Sequence, residues 1–393
     1  MRINRYFIIF LVSGLYYAIG QSVSMNQDLM PPFPLDEIED TKHDFNSSST
    51  KYDDSNSDSL YDDFLSRNIV NSNSREGTEV YTFTTCGKSG RYGPSQAQAN
   101  TAYSGTNPYV SVTVNNGIQQ WTVPATGDYV IEAYGARGGP GANYANGDHG
   151  EGAYMKGTFA LDAGDKLHIL VGQQGSYTSY SNQYGGGGGG GTFVAKGTNY
   201  ENAIPLIIAG GGGGGGYNSS SYVNGQTGTS GSNGGNATQN NYAGPGIGGN
   251  NGMGATGSTY GGNGGGFYSA GSGNFNHFDE KGFGFRNGGN GGNGQYGGSG
   301  GFGGGGGGYG GAGGAGGYSG GGGGSWAHGG AGGGGGSYNG GSSPTNISGL
   351  GESHGVVIIA PEGVDINHVP VAEDQTVVGN EDEEFTITLS GTD

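Results

Sequence analysis

Few side chains in this 393-residue chain are of types that carry out chemistry, and their spacing sets none of them to work. Cys86 is the only cysteine, so no disulfide closes within the chain and no cysteine-rich metal site can be built. An odd thiol in an exported protein is buried, reactive or paired with another chain, and burial is the expected state of Cys86. His43, His149, His168, His277, His328, His354 and His368 have neither metal-ligand nor triad spacing and are expected as surface or satisfied histidines. Asp148-His149 with Glu151 comes closest to a constellation. It lies between glycines without a nucleophile, so a turn is expected. Asp279-Glu280, which interrupts the glycine region, is expected as an exposed loop. Glu373, Asp374, Glu381 to Glu384 and Asp393 offer oxygens of the kind calcium takes if further repeats follow. By themselves they read as a solvated acidic face. Asn46, Asn218, Asn236 and Asn346 head glycosylation triplets, usable where the host glycosylates. G-x-G-x-x-G strings are so frequent that they carry no information. No catalytic, cofactor-binding or metal site is expected.

The elements that would hold these groups divide the chain by composition. Residues 1–20 read as a secretory signal peptide: Arg2 and Arg5 precede an apolar stretch from Tyr6 to Ile19, and Ala18 and Gly20 suit cleavage. No later apolar stretch is long enough to span a bilayer. Residues 21–78, rich in Asp, Ser and Asn with few large aliphatics, read as a disordered acidic spacer. The net charge of -18 is concentrated in the flanks, with 13 acids against 4 bases over 25–79 and 9 acids without a base over 362–393. The middle holds 10 acids and 8 bases, which lacks the basic excess that nucleic acid requires.

From Glu79 onwards short strands are predicted. Val110, Val112 and Val114 share one face, Tyr129, Ile131 and Ala133 another, and Met155, Phe159 and Leu161 a third. Ile118 to Val123, Lys166 to Val171, Thr192 to Ala195, Pro205 to Ala209 and Gly355 to Ile359 continue the set, with turn residues between. Such a pattern indicates an all-β sandwich built from 79–209 and 352–361.

Between them, 210–351 is dominated by glycine. The chain's 97 glycines and 12 prolines fall in a band typical of flexible linkers. Three features point to order instead. Asn287, Asn290, Asn293, Tyr296, Ser299 and Phe302 keep a three-residue step, as do Tyr309, Ala312, Ala315 and Tyr318, which is the period of a polyproline-II-type helix. That helix has no internal hydrogen bonds, so packed copies must bond to one another, and only glycine lets backbones approach so closely. Aromatics such as Trp326 and a returning Val/Ile strand have no place in a linker. The expectation is an inserted layer of polyglycine helices.

The middle of the chain resembles the extracellular glycine-rich domain of the anaplastic lymphoma kinase and leukocyte tyrosine kinase receptors. The resemblance rests on Cys86-Gly87, Gly93-Pro94-Ser95-Gln96-Ala97-Gln98, Gly117-Ile118-Gln119-Gln120-Trp121-Thr122-Val123-Pro124 and Ile169-Leu170-Val171-Gly172-Gln173-Gln174-Gly175. It covers roughly residues 80 to 361. It implies a tumour-necrosis-factor-like sandwich with inserted polyglycine helices, and binding of a small protein ligand. Ala99 stands where that family has a cysteine partner for Cys86, so the fold carries over and the disulfide does not. No ligand contact carries over. The β3 Lys, His-Arg-Asp and Asp-Phe-Gly strings of a kinase are absent. Residues 362–393 resemble the opening of a cadherin-like adhesin repeat, cut short before it could close.

The function expected is that of a non-catalytic secreted or cell-surface module for recognition or adhesion, binding an extracellular protein or glycan. One alternative is the ectodomain of a receptor tyrosine kinase-like protein whose membrane span and kinase lie outside this chain. Another is a structural or ice-binding material presenting small-residue rows such as Ala312 and Ala315.

Overall fold

The computed structural model describes residues 79–106, 109–142, 149–178, 184–217, 223–236, 244–257, 260–273, 280–326, 330–366, 371–372 and 391–392. The signal-peptide and spacer expectations at 1–20 and 21–78 fall outside the described residues. So does most of 362–393, where one two-residue antiparallel pair, Val371–Ala372 with Gly391–Thr392, is described.

Eleven strands and one helix build the sandwich. They are β1 (Tyr81–Phe83), α1 (Gln96–Tyr103), β2 (Thr113–Asn115), β3 (Ile118–Thr122), β4 (Gly127–Tyr134), β5 (Gly152–Leu161) and β6 (Lys166–Leu170). After them come β7 (Thr192–Lys196), β8 (Ile204–Ala209), β9 (Tyr338–Asn339), β10 (Ser342–Gly351) and β11 (Val356–Pro361). Five form one sheet in the order β1-β11-β4-β5-β10 and six form the other in the order β2-β3-β6-β7-β8-β9. Every pairing is antiparallel.

Alternation fixes the register, because a slip of one residue would turn each buried set outwards. Ile131 pairs with Gly157 on one side and Ile359 on the other. Tyr129, Ile131, Ala133, Met155, Phe159, Leu161, Val357 and Ile359 of the first sheet meet Trp121, Leu167, Ile169, Val194 and Ile207 of the second. Trp121 closes the stack, 4.8 Å from Tyr81 and 5.7 Å from Phe83 between ring centroids.

The second sheet is buried on its other face too. Ile118, Leu170, Phe193, Ala195 and Ile208 pack against Phe267, Phe285 and Phe302 from the glycine region. This explains why β6 to β8 read as near-continuous apolar runs, since a strand covered on both faces has no polar side.

Four elements differ from the sequence reading. Over 109–114 only Thr113 and Val114 are strand, and Val110 packs into the core from a loop. Helix α1 was not foreseen; Ser95 and Gln98 cap it reciprocally, with the Gln98 amide N donating to Ser95 Oγ and the Ser95 amide N to Gln98 Oε1. Strands β9 and β10 lie inside 210–351, which the sequence reading gave wholly to the glycine layer. Strand β10 is an edge strand made mostly of exposed Ser, Pro, Thr and Asn, and its apolar residues Ile347 and Leu350 are three apart and exposed, so no alternating apolar signal marks it.

The glycine runs bond to one another with a step of three. The amides of Gly186 and Gly189 donate to Gly215 and Gly212, those of Gly187 and Gly190 to Ser176 and Gln173, and those of Gly188 and Gly191 to Gly306 and Gly303. Run 312–317 repeats the scheme: Ala312 and Ala315 donate to Gly330 and Gly333, Gly313 and Gly316 to Gly186 and Gly189, Gly314 and Gly317 to Gly262 and Gly265. Each run thus has three bonded faces. A β-carbon on Gly188 would run into the Gly314 carbonyl, and one on Gly190 into that of Phe302. The side-chain step does not follow a single rod. Between 291–294 and 297–301 the chain folds back at Tyr296, with the Gly300 amide donating to Gly292. Ala312 and Ala315 are 0% exposed, which removes them as an outward-facing small-residue row: their run is bonded to six neighbouring segments.

Candidate functional site

The glycine layer carries two aromatic clusters of different chemistry. The one against the second sheet is led by phenylalanine. Phe285 stacks on Phe193 at 5.2 Å and on Phe267 at 5.0 Å, and all three are fully buried. Arg286 lies over Tyr268 at 4.8 Å and Phe267 at 5.4 Å, its Nη2 donating to the Ala203 carbonyl at 2.7 Å. Tyr318 joins at 5.0 Å from Tyr338 on β9. This cluster fastens the layer to the sandwich.

The other cluster lies at the far ends of the runs. Gly191 leads directly into β7, so Tyr184, which precedes the same run at Gly185, sits away from the sheet. Tyr309 follows the run 303–308, Trp326 follows 320–325, and Tyr260 precedes 261–266. Backbone bonds bring them together: the Gly185 amide donates to the Tyr309 carbonyl (3.0 Å), Gly261 to Gly324 (3.0 Å), and Gly308 to Gly298 beside Tyr296 (2.7 Å). Tyr309 is the hub, 5.9 Å from Tyr184, 5.7 Å from Tyr296, 6.1 Å from Tyr260 and 5.6 Å from Trp326. Tyr260 and Trp326 approach to 4.6 Å. Trp326 rests on Gly310, where a β-carbon would enter its ring. Tyr296 is exposed and the other four rings are half-buried. Burial pushes the Tyr309 phenol up, with Tyr184 and the Glu280 carboxylate adding to it, so the hydroxyl stays neutral. The sequence signal that finds these residues is an aromatic at or near the end of a glycine run.

The side chains singled out in the sequence are dispersed. Cys86 is buried at the edge of the core with φ 54°, and its Sγ faces the Thr84 carbonyl at 3.7 Å and Gln119 Oε1 at 4.0 Å. Burial pushes its thiol pKa up. Asn236 and Asn346 are exposed, and the Asn339 side-chain amide donates to Asn346 Oδ1 at 2.9 Å. Asn46 and Asn218 lie outside the described residues, as do Asp148, His43, His277, His328 and His368. The acids at 373–374, 381–384 and 393 also lie outside them. His149 Nε2 is 3.1 Å from Arg137 Nη1, whose Nε donates to Gln174 Oε1 at 2.9 Å. His354 Nδ1 accepts from the Gln174 amide. Desolvation raises the Glu151 pKa, with Glu352 as second cause. Glu280, expected in an exposed loop, is 1% exposed, because its carbonyl is held inside the lattice by the Gly307 amide. Among the described residues no three or more His, Cys, Asp or Glu gather as a metal site. No described helix is long and apolar enough to cross a membrane.

No family model matches the chain. Over 99 residues, 24% of this chain, it is 46% identical to the leukocyte tyrosine kinase receptor of Mus musculus. The matched stretch spans 11% of that receptor's length. The chain is therefore similar to a receptor over a limited region.

Proposed function

We propose that this protein is a non-catalytic extracellular recognition or adhesion module whose partner is an extracellular protein or glycan. On this reading 1–20 is a signal peptide, 21–78 an acidic spacer, 79–361 a rigid head containing polyglycine helices, and 362–393 the start of a cadherin-like repeat. The observation that carries it is the bonded glycine lattice seated on a β-sandwich. Such a lattice commits most of its backbone groups to bonds between the runs and holds side chains at the run ends in fixed positions, which lowers the entropy lost on binding. The partial likeness to a receptor supports an outward-facing role.

The test uses the secreted full chain, fluorescently labelled and applied to cells and matrix from its source. Saturable binding that unlabelled chain displaces, and that heat-unfolded chain lacks, is expected. Uptake that rises linearly with concentration and is the same for unfolded chain refutes the reading. A second reading, a receptor ectodomain acting through a downstream kinase, is favoured by the match to a tyrosine kinase receptor. Sequencing the gene beyond residue 393 separates them: an apolar span followed by kinase strings selects the receptor, and further repeats select the adhesin.

A further inference from the structure

We propose that Tyr184, Tyr260, Tyr296, Tyr309 and Trp326 form a docking surface for a neutral glycan. The inference rests on the recognition reading above and names the ligand class.

The comparison between the two aromatic clusters carries it. Where the task is burial, the layer uses Phe267, Phe285 and Phe302, each 0% exposed. At the far ends the rings it gathers, among the described residues, are those of tyrosine and tryptophan, none of them in a fully buried residue. These side chains combine an apolar ring with a hydrogen-bonding group, which suits a contact that is wet on one side. Aromatic faces are negative and attract positively polarised hydrogens. Sugar C–H groups, polarised by their ring oxygens, are such hydrogens, and sugar hydroxyls suit the phenols and the indole N–H.

Charge narrows the class. Among the described residues of 210–351 the charged side chains are Glu280, Lys281 and Arg286. Glu280 is buried, Lys281 lies over Phe283 at 5.7 Å, and Arg286 is held in the other cluster. A sulfated or carboxylated glycan would meet no basic group of this set at the rings, whereas a neutral one needs none. The five rings are packed on one another, Tyr309 lying 5.9 Å from Tyr184 and 5.6 Å from Trp326. Backbone bonding fixes the spacing before any ligand arrives.

The test titrates the full chain with chitohexaose, cellohexaose and laminarihexaose by calorimetry and by tryptophan emission. Trp121 is buried in the sandwich, so an emission change reports Trp326. Saturable binding of at least one hexasaccharide is expected. It should weaken about tenfold in Tyr296→Ala and in Tyr309→Ala and hold in Tyr109→Ala, an exposed tyrosine next to β2. Should Tyr309→Ala fail to fold, Tyr296→Ala, at an exposed turn, carries the test. Binding that stays within twofold of wild type in the folded variants overturns the assignment, as does wild-type chain that binds none of the three sugars. If that chain still binds cells saturably, only the glycan assignment falls. If it does not, the recognition reading falls with it.

Discussion

Replacing Gly190 by alanine tests whether the glycine layer is a bonded solid. The Gly190 amide donates to the Gln173 carbonyl at 2.9 Å, and its own carbonyl accepts from Ala136 at 3.0 Å. A methyl group at this position points at the Phe302 carbonyl, which is the acceptor for the Gln173 amide at 2.8 Å. To make room, Phe302 must move off Gln173 and leave a buried donor unpaired, at about 1–3 kcal/mol. Overpacking adds about 1–3 kcal/mol. The stiffer unfolded chain returns about 0.4–1 kcal/mol. The net expectation is a loss of about 3 kcal/mol. Gly228 is the control: it lies in the same glycine-rich region with no φ in the left-handed range and nothing within 4 Å of its β-carbon position. Gly228→Ala should change stability by less than about 1 kcal/mol in either direction. Urea unfolding of the full chain, followed by circular dichroism and tryptophan emission, measures both. If Gly190→Ala unfolds within about 0.5 kcal/mol of wild type, the runs are not in contact and the lattice reasoning is wrong.

Phe285→Ala should cost about 3–5 kcal/mol, because the ring is fully buried against both Phe193 and Phe267. Amide exchange in the glycine runs should then accelerate more than in β4 and β5; equal acceleration would mean that the layer is fastened elsewhere. Burial holds the His168 pKa below its ordinary value, so the unfolded chain takes up more protons once the pH falls below about 6.5. His168 therefore contributes stability above that pH and loses it on acidification. The unfolding midpoint should drop between pH 7.5 and 5.5 by less in His168→Gln than in wild type, and equal drops would remove His168 as a cause. The buried Cys86 thiol, with its pKa raised by desolvation, should react with a thiol reagent about a hundredfold more slowly in the native protein than in urea. Comparable rates would mean that this corner of the core is open.

Much of the sandwich can be read from residue patterns. Tyr129, Ile131 and Ala133 alternate in the sequence and point into one core, and Met155, Phe159 and Leu161 meet them across β5. Strand β10 could not be read in this way, because its polar edge carries only Ile347 and Leu350, both exposed and out of a two-residue step. Helix α1 left a trace in the Ser95 and Gln98 capping pair, a local signal that a pass for strands overlooks. The ring cluster around Tyr309 was half visible. Aromatics near the ends of glycine runs can be found by eye, but nothing in their order says which share an end.

The residue string by itself determined that the backbone could pack tightly, since long stretches without β-carbons allow contacts that any methyl group would block. It also set the alternation that puts one side of each long strand indoors. Only the tertiary structure decided which glycine run lies beside which. Glycine carries no side chain to label a neighbour, so pairings such as Gly188 with Gly306 or Ala315 with Gly333 depend on where the sandwich strands and the turns anchor each run. The same long-range placement buried Ala312 and Ala315 and gathered Tyr184, Tyr260, Tyr296, Tyr309 and Trp326 around one point. Sequence spacing fixes distances along the chain, and these meetings are set by distances across it.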